Sequence, residues 1–235
     1  EAEEAMAARD IGLAALTGGR LHLAHVSTAG TVELVRRAKK RGVPVTAEVT
    51  PHHLTLTDEW VYGQHGEVPE SVGPESYDTN TKVNPPLRSR ADEEVLIEAL
   101  AEGLIDVIAT DHAPHAATDK ICTYNEAAYG INVLETAFSS IFTLVDVDPK
   151  MLSLGRLIES LTAGPAAILG RDLGSLEKGY SADVTLIDPE MKWTVNPQAF
   201  ASKSVNTPLA GVELTGRVVI TIYQGTKVFD LRNHG

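Results

Sequence analysis

Cysteine is the scarcest residue type in the sequence, which contains Cys122 alone. One cysteine excludes a disulfide framework within the chain and is typical of a reducing cytoplasm, which is the predicted location. The chain also lacks an apolar run of membrane-spanning length, so we expect no membrane association. Basic residues are too few for a general nucleic-acid binder, because phosphate binding needs clustered Lys and Arg and the formal net charge is −12.

The first residues, EAEEAMAARDIGLAALTGG, include no initiator methionine and no capping residue before the first helical turn. Apolar residues recur at helical spacing from Ala5 to Leu16, and Gly18 and Gly19 follow them. This pattern predicts a helix that ends at the glycines. We expect the chain to begin within or just before a helix, and so to be the C-terminal part of a longer polypeptide.

Apolar runs alternate with segments of helical period over the next part of the chain. Strands are predicted at 21–26, 43–49 and 104–110, and helices at 31–41, 91–102, 131–145 and 153–169. Strands that alternate with helices indicate parallel βαβ units. A polar segment rich in Gly and Pro, at 61–80, predicts a surface loop.

The number of these units sets the predicted fold. A closed (β/α)₈ barrel contains eight units, and this chain holds about three. The predicted fold class is therefore α/β, with residues 1–170 forming about half of a TIM-like barrel. From residue 171 the pattern changes to short β runs and turn residues, which predicts a separate small β module at 171–235.

Polar residues with metal-binding or catalytic chemistry follow each predicted strand. The first strand leads to His25, the second to His52 and His53, and the third to Asp111; Asn84 lies between the last two in KVNPPLR. Reactive groups of parallel α/β folds gather at the carboxyl ends of the strands. We therefore expect these side chains to lie at one edge of the sheet.

Asp111 ends a buried strand, where an unpaired carboxylate needs a cation or several hydrogen-bond donors. A turn-forming or helix-capping aspartate is an equally good interpretation of its position alone. The nearby histidines favour a metal site, because histidine and carboxylate together are common zinc ligands. An aspartate beside a metal can also act as general base toward water.

The histidines differ in what their positions predict. His25 ends its strand, whereas His22 faces the opposite side and is better explained as a hydrogen-bonded core residue. His115 can turn back over the pocket, while His112 is expected to point away from Asp111, which it follows directly. His52 and His53 are as compatible with a structural role as with a functional one. Two ligands do not hold a catalytic zinc, so the residues alone predict an incomplete metal-hydrolase site.

Six segments carry a resemblance to a known family. They are, in chain order, HVSTAGTVEL, EVTPHHL, KVNPPLR, ATDHAPH, YGINVLETAF and SLEKGYSADVTLIDPE. In this order they resemble the dihydroorotases of the amidohydrolase superfamily over essentially the whole chain. KVNPPLR with TDHAPH is the most specific pair, because related hydantoinases and allantoinases usually differ around the acid. The resemblance implies a (β/α)₈ barrel, of which the chain holds about strands 6 to 8, with a small β-sandwich that includes the C-terminal module.

The resemblance also implies a metal centre. His25 matches the metal-binding histidine that ends the sixth barrel strand. Asp111 matches the eighth-strand aspartate, which binds metal and shuttles the proton. The implied cofactor is zinc, two ions per active site, and the implied reaction interconverts (S)-dihydroorotate and N-carbamoyl-L-aspartate in de novo pyrimidine (UMP) biosynthesis.

Substrate contacts are implied by four further matches. Asn84 matches a substrate-binding asparagine, and His115 matches a histidine that contacts the substrate carboxylate. The backbone at Tyr129 and Gly130 matches the segment that touches the dihydropyrimidine ring. The sequence departs from the family's usual pattern in this region, at Ala128 and Asn132.

The rest of the family's site has no match in this chain. The first-strand HxH pair, the bridging lysine or aspartate, the fifth-strand histidine, and an arginine and an asparagine that bind the substrate carboxylate are expected upstream of Glu1. The chain alone is therefore expected to be inactive. Two alternatives stay open: a hydantoinase- or allantoinase-like cyclic amidase, and a catalytically silent subunit of an aspartate transcarbamoylase complex. A homodimer is a further expectation for the assembly.

Overall fold

The computed structural model of the chain describes residues 1–63, 66–67, 73 and 76–233. Part of the predicted loop at 61–80 lies outside these residues. Eight helices of the described part are labelled α1 to α8: Ala2–Thr17, Ala29–Lys40, Pro51–Thr55, Glu59–Tyr62, Arg90–Ala101, Ala137–Val147, Leu154–Leu161 and Ala163–Leu169. Its six strands are β1 to β6: Leu21–Leu23, Val45–Val49, Val107–Ile108, Val184–Thr194, Glu213–Tyr223 and Thr226–Asp230.

The first three strands form a parallel sheet in the order β1-β2-β3. α2 connects β1 to β2, and α5 precedes β3, so the predicted alternation of strands and helices is confirmed. Both strand crossovers place helices against the sheet, where they bury an apolar core that includes Leu54, Leu96, Leu100 and Leu157. The fold class is therefore α/β, as predicted.

Helix ends follow the capping residues of the sequence. Thr28 and Ser89 precede α2 and α5, and the oxygen of each side chain accepts a hydrogen bond from the N–H three residues on. Gly42 and Gly103 follow the same helices with φ of 75°, a left-handed conformation that glycine adopts without steric cost. Gly18 ends α1 in the same way, which confirms the predicted helix at the start of the chain.

All three strands of this sheet are shorter than predicted. β2 begins at Val45 rather than at residue 43, and β3 ends at Ile108 rather than at residue 110. β1 ends at Leu23 rather than at residue 26, because His25 takes a left-handed backbone conformation that a strand cannot contain. β3 begins at Val107 rather than at residue 104, because Leu104 and Ile105 donate their N–H groups to Ala99 O and close α5. α3 and α4 were not predicted, and α6 begins six residues later than the predicted helix at 131–145.

The last three strands form an antiparallel sheet in the order β4-β5-β6. This sheet packs on α6: Thr215 N donates to Thr143 Oγ1 at 2.9 Å, and Ser139 Oγ donates to Gly216 O at 2.5 Å. At Gly216, with φ of 78°, a Cβ atom would collide with the Phe142 ring. The predicted β strands after residue 171 are thus present, while the division into two domains stays a prediction.

None of the helices in the described ranges is both long enough and apolar enough to cross a lipid bilayer.

Candidate active site

The carboxyl ends of β1, β2 and β3 lie at one edge of the parallel sheet, which is the edge that the sequence predicts for the site. His25 follows β1 there, and the next residue, Val26, donates its N–H to Glu48 O of β2 at 2.9 Å. Asp111 follows β3 at the same edge. Its carboxyl group lies close enough to His25 and Glu48 for both to affect its pKa. The structure therefore brings the two predicted metal ligands together.

Both predicted metal ligands have a positive φ, which is uncommon outside glycine. φ is 40° at His25 and 48° at Asp111, and only Tyr77 and Gln224 share this feature among the non-glycine residues that the structure describes. A left-handed non-glycine residue costs about 1–3 kcal/mol and is found most often at functional sites. The backbone is thus strained at the two positions to which the sequence assigns the chemistry.

The two side chains suit a metal ion in donor type. His25 Nδ1 is buried and has no hydrogen-bond partner among the described residues, so it is an orphaned donor or acceptor. Partial burial and the nearby Glu48 carboxylate raise the pKa of Asp111, and His25 opposes this shift. A cation would relieve both conditions. Within the described residues no cluster of three or more His, Cys, Asp or Glu side chains is arranged to bind a metal, so the ligand set is partial.

A partly buried carboxylate from α1 supports the loop that follows His25. Glu3 Oε1 accepts hydrogen bonds from Ser27 N at 3.0 Å and Thr28 N at 3.2 Å, and Glu3 Oε2 accepts one from Ser27 Oγ. Arg88 donates from Nε to Ser27 Oγ at 3.0 Å and pairs with Glu3 at 3.5 Å. Burial alone would raise the pKa of Glu3, but the hydrogen bonds from Ser27 and the charge of Arg88 lower it overall. Sequence reasoning missed Glu3, because nothing local marks one acid in a helix as a brace for a distant loop.

Glu3→Gln in the full-length protein is expected to lower the free energy of unfolding by about 1–3 kcal/mol at pH 7, the usual contribution of hydrogen bonds to a charged group. A carboxyl group whose pKa is lowered by folding stabilises the protein above its unfolded pKa, and this contribution disappears as the pH falls through the folded pKa. The difference between the variant and the parent should therefore shrink below about pH 4. Urea unfolding of the variant and the parent at pH 7 and pH 3.5 measures this difference in the free energy of unfolding.

Glu4→Gln is the matched control, because Glu4 lies beside Glu3 on α1 and, among the described residues, Glu3 rather than Glu4 accepts the hydrogen bonds from Ser27 and Thr28. It should change stability by less than about 0.5 kcal/mol. Equal destabilisation by both variants, or a Glu3→Gln effect that does not depend on pH, would show that the charge of Glu3 does not stabilise the loop after His25.

Two other histidines, His22 and His53, have both ring nitrogens occupied by hydrogen bonds. His22 lies between Thr46 Oγ1 at 2.8 Å and Glu48 Oε2 at 3.0 Å. His53 bonds to Thr50 Oγ1 at 2.8 Å and to Pro85 O at 3.1 Å, and burial lowers its pKa to about 4. A structural role fits both residues.

His112 and His52 differ in their hydrogen bonding. His112 Nδ1 accepts the N–H groups of Val133 and Leu134 at 3.1 and 3.3 Å, and its orientation away from Asp111 stays a prediction. His52 is buried, and burial lowers its pKa well below the usual value, with His53 and His25 adding to the shift. It is therefore a buried, neutral histidine, and both of its ring nitrogens, like His25 Nδ1, lack a hydrogen-bond partner among the described residues.

The predicted substrate residues His115, Tyr129 and Gly130 lie together. His115 Nε2 bonds to Tyr129 O at 2.8 Å, and Asn206 Nδ2 donates to Gly130 O at 3.1 Å. Gly130 has φ of 129°, and a Cβ atom there would collide with Ala113 and approach His115 Nε2 to 3.1 Å. Only glycine lets the backbone approach His115 this closely.

Asn84 lies near this loop, because a residue just before it is hydrogen-bonded to Gly130. Its side chain is exposed, it precedes a cis peptide bond to Pro85, and Lys82 O, two residues earlier, accepts the Gly130 N–H at 2.9 Å. Asn132, where the family usually has glycine, is buried and donates from Nδ2 to Ser204 O at 2.6 Å. Sequence reasoning missed Ser204 and Asn206, because their contacts join segments more than 70 residues apart.

Reactive residues at the carboxyl ends of parallel strands are typical of α/β barrel enzymes, and a histidine with an aspartate suits a catalytic metal ion. The model of the amidohydrolase family matches residues 2–228. The chain therefore belongs to the amidohydrolase family, whose members are generally metal-dependent enzymes.

Curated relatives confirm the predicted resemblance. A dihydroorotase of Anaeromyxobacter dehalogenans is 50% identical over 98% of this chain and 50% of its own length. A dihydroorotase of Caldanaerobacter subterraneus is 50% identical over 96% of this chain and 49% of its own length. The chain thus spans about half the length of the curated relatives that it matches.

Solved structures of the family superimpose on the chain. An L-hydantoinase (dihydropyrimidinase) from Arthrobacter aurescens matches with a TM-score of 0.83 and 31% identity, over 97% of this chain and 48% of that one. A dihydropyrimidinase from Brevibacillus agri matches with a TM-score of 0.86 and 23% identity, over 97% and 48%, which shows the shared fold.

Proposed function

We propose that this chain supplies half of the active site of a zinc-dependent dihydroorotase, which interconverts (S)-dihydroorotate and N-carbamoyl-L-aspartate in pyrimidine biosynthesis. The observation that carries the proposal is the pair His25 and Asp111, brought together in strained conformations at the carboxyl edge of the sheet. Identity of about 50% to curated dihydroorotases over nearly the whole chain supports the choice of substrate.

The proposed mechanism assigns a task to each residue. Zinc, when bound, lowers the pKa of a water molecule and polarises the amide carbonyl of the ring. Asp111 accepts the proton of the attacking water and then donates it to the ring nitrogen that leaves, which opens the ring to N-carbamoyl-L-aspartate. The same residue moves the proton in the opposite direction during ring closure. His25 and Asp111 would hold zinc, and the upstream part of a complete barrel would contribute the remaining ligands for two ions.

Substrate orientation is assigned to the loop region. His115 and Asn84 bind the carboxylate and the ring, and the backbone of Tyr129 and Gly130 lies along the ring. Holding the ring against the reacting groups is the positioning part of catalysis. Gly130 suits this task because its missing side chain leaves the backbone accessible beside His115.

Several wider features belong to the same proposal. Strands β4 to β6 would form part of a small β-sandwich at 171–235, next to a barrel half at 1–170. The enzyme would work in the cytoplasm, as a homodimer or in a complex with aspartate transcarbamoylase. The shortage of basic residues supports a small-molecule substrate over a nucleic acid.

A hydantoinase-like cyclic amidase is the second candidate, favoured by the likeness to the Arthrobacter L-hydantoinase. The two functions differ in whether the substrate has a carboxylate on its ring. His115→Ala in the full-length protein should raise KM for dihydroorotate about 10–100-fold, the cost of one hydrogen bond to a charged group, and barely change KM for dihydrouracil. Steady-state kinetics on dihydroorotate, dihydrouracil, hydantoin and allantoin measures the difference.

His112→Ala is the control for this experiment, since His112 Nδ1 accepts the backbone N–H groups of Val133 and Leu134 and has no assigned contact with the substrate carboxylate. It should change KM for every substrate of the panel by a similar factor. Preferred turnover of hydantoin or dihydrouracil by the parent protein would favour the second candidate. No turnover of any cyclic amide by a folded, zinc-loaded protein would favour the catalytically silent subunit.

A further inference from the structure

Two lysines beside the proposed substrate loop are buried. Lys82 is 7% exposed and Lys120 is 6% exposed, which is unusual because lysine is almost never fully buried unless it is paired. Both ammonium groups donate to backbone carbonyls. Lys82 Nζ donates to Asn125 O at 2.9 Å, and Lys120 Nζ donates to Ala128 O at 2.7 Å and to Thr79 O at 3.1 Å.

The two carbonyls bound by Lys120 belong to different segments of the site. Thr79 begins the short 3₁₀ helix Thr79–Thr81, which leads through Lys82 to Asn84. Ala128 directly precedes Tyr129 and Gly130. Thr79 Oγ1 also donates to Lys120 O at 2.6 Å, so the two segments are joined by both the backbone and the side chain of one residue.

Lys82 completes the connection between the same two segments. Its ammonium group lies 4.4 Å from the centre of the Tyr129 ring, within cation–π range. Its carbonyl accepts the Gly130 N–H at 2.9 Å. Lys82 and Lys120 therefore hold the residues on which the proposed substrate contacts depend.

Burial of an ammonium group opposes folding, so Lys120 does not owe its place to stability alone. Burial lowers its pKa to about 8, against the opposing charge of Asp78, and the nearby Lys82 adds to the shift. A lysine that stays charged at neutral pH in such a place points to a requirement for its strong, charged hydrogen bonds.

We propose that Lys120 is a positioning residue, whose ammonium group fixes segment 79–84 against segment 128–130 and thereby places Asn84, Tyr129 and Gly130 for binding of the ring. Its effect on substrate binding rests on the proposed function, whereas its effect on the loop does not. Sequence reasoning gave no role to Lys120.

Lys120→Met in the full-length, zinc-loaded protein tests the proposal, because methionine fills the same space without the charge. Hydrogen exchange at the amides of residues 119–130, including the Gly130 N–H, should become about tenfold faster or more, the loss expected for hydrogen bonds to a charged donor. KM for dihydroorotate should rise by about tenfold or more, with a smaller change in kcat. Lys178→Met, at an exposed lysine, is the control and should match the parent in both measurements.

A second variant, Thr79→Val, removes only the Thr79 hydroxyl bond to Lys120 O and should accelerate exchange in the same residues by a smaller factor. Unchanged exchange in 119–130 for Lys120→Met would overturn the proposal, as would equal acceleration in α2, which would mean general destabilisation. Faster hydrogen exchange confined to residues 119–130 supports the positioning role of Lys120 even in a protein that does not turn over dihydroorotate. That combination would refute the proposed substrate and leave the role of Lys120 standing.

Discussion

Asp111→Asn is expected to lower kcat for dihydroorotate by about three orders of magnitude or more, near the upper end of what general acid–base catalysis contributes. Asparagine keeps the size of the side chain but does not take up and release the proton that must pass from water to the ring nitrogen. Asparagine also tolerates a left-handed backbone as well as aspartate does, so φ of 48° at this position should not unfold the variant. Assays of ring opening and of ring closure measure kcat, and circular dichroism of each preparation checks that the variant is folded.

Asp146→Asn is the control, because Asp146 is an exposed acid on α6, far along the chain from the sheet edge. It should retain the turnover of the parent. A folded, metal-loaded Asp111→Asn protein with near-normal kcat would show that the proton moves through another group.

His25→Asn is expected to remove a metal ion from the full-length protein and to lower turnover by about three orders of magnitude or more, since a catalytic zinc depends on each of its few protein ligands. The buried, unpartnered Nδ1 of His25 is the physical reason, because a buried imidazole nitrogen needs a proton donor, an acceptor or a metal. Asparagine again suits the positive φ of 40°. Elemental analysis after dialysis against a chelator measures the metal independently of activity.

His22→Asn is the matched control for this second variant. His22 lies in the same β1 segment, but Thr46 and Glu48 already occupy both of its ring nitrogens. It should keep the metal content of the parent. Equal metal loss in the two variants would contradict the assignment of His25 alone as the ligand from this segment.

Much of the fold could be predicted from the sequence because its signals are local. Alternating strands and helices, the capping residues Thr28 and Ser89, and Gly42 and Gly103 after the helices all act within a few residues. The errors arose where a distant or special contact overrides the local pattern. His25 ended β1 early by its left-handed backbone, and the closure of α5 took residues 104 and 105 out of the predicted β3.

The candidate site divides in the same way. His25 and Asp111 could be found because each is an unusual residue at the end of a predicted strand. The substrate-loop residues could be found because their motifs resemble those of a known family. Glu3 and Lys120 could not, because their partners are carbonyl and amide groups of distant segments, which no sequence motif records. Among the described residues no group of three or more His, Cys, Asp or Glu side chains is arranged to bind a metal, so His25 and Asp111 form only part of the proposed ligand set.

Ring opening of dihydroorotate by the full-length, zinc-loaded protein tests the central claim most directly, followed as the loss of the ultraviolet absorbance of the ring. The proposed function predicts steady turnover by the parent protein and its loss in Asp111→Asn. It also predicts that chelator treatment abolishes turnover by the parent and that added zinc restores it. A folded protein with its full metal content that leaves dihydroorotate intact would contradict it.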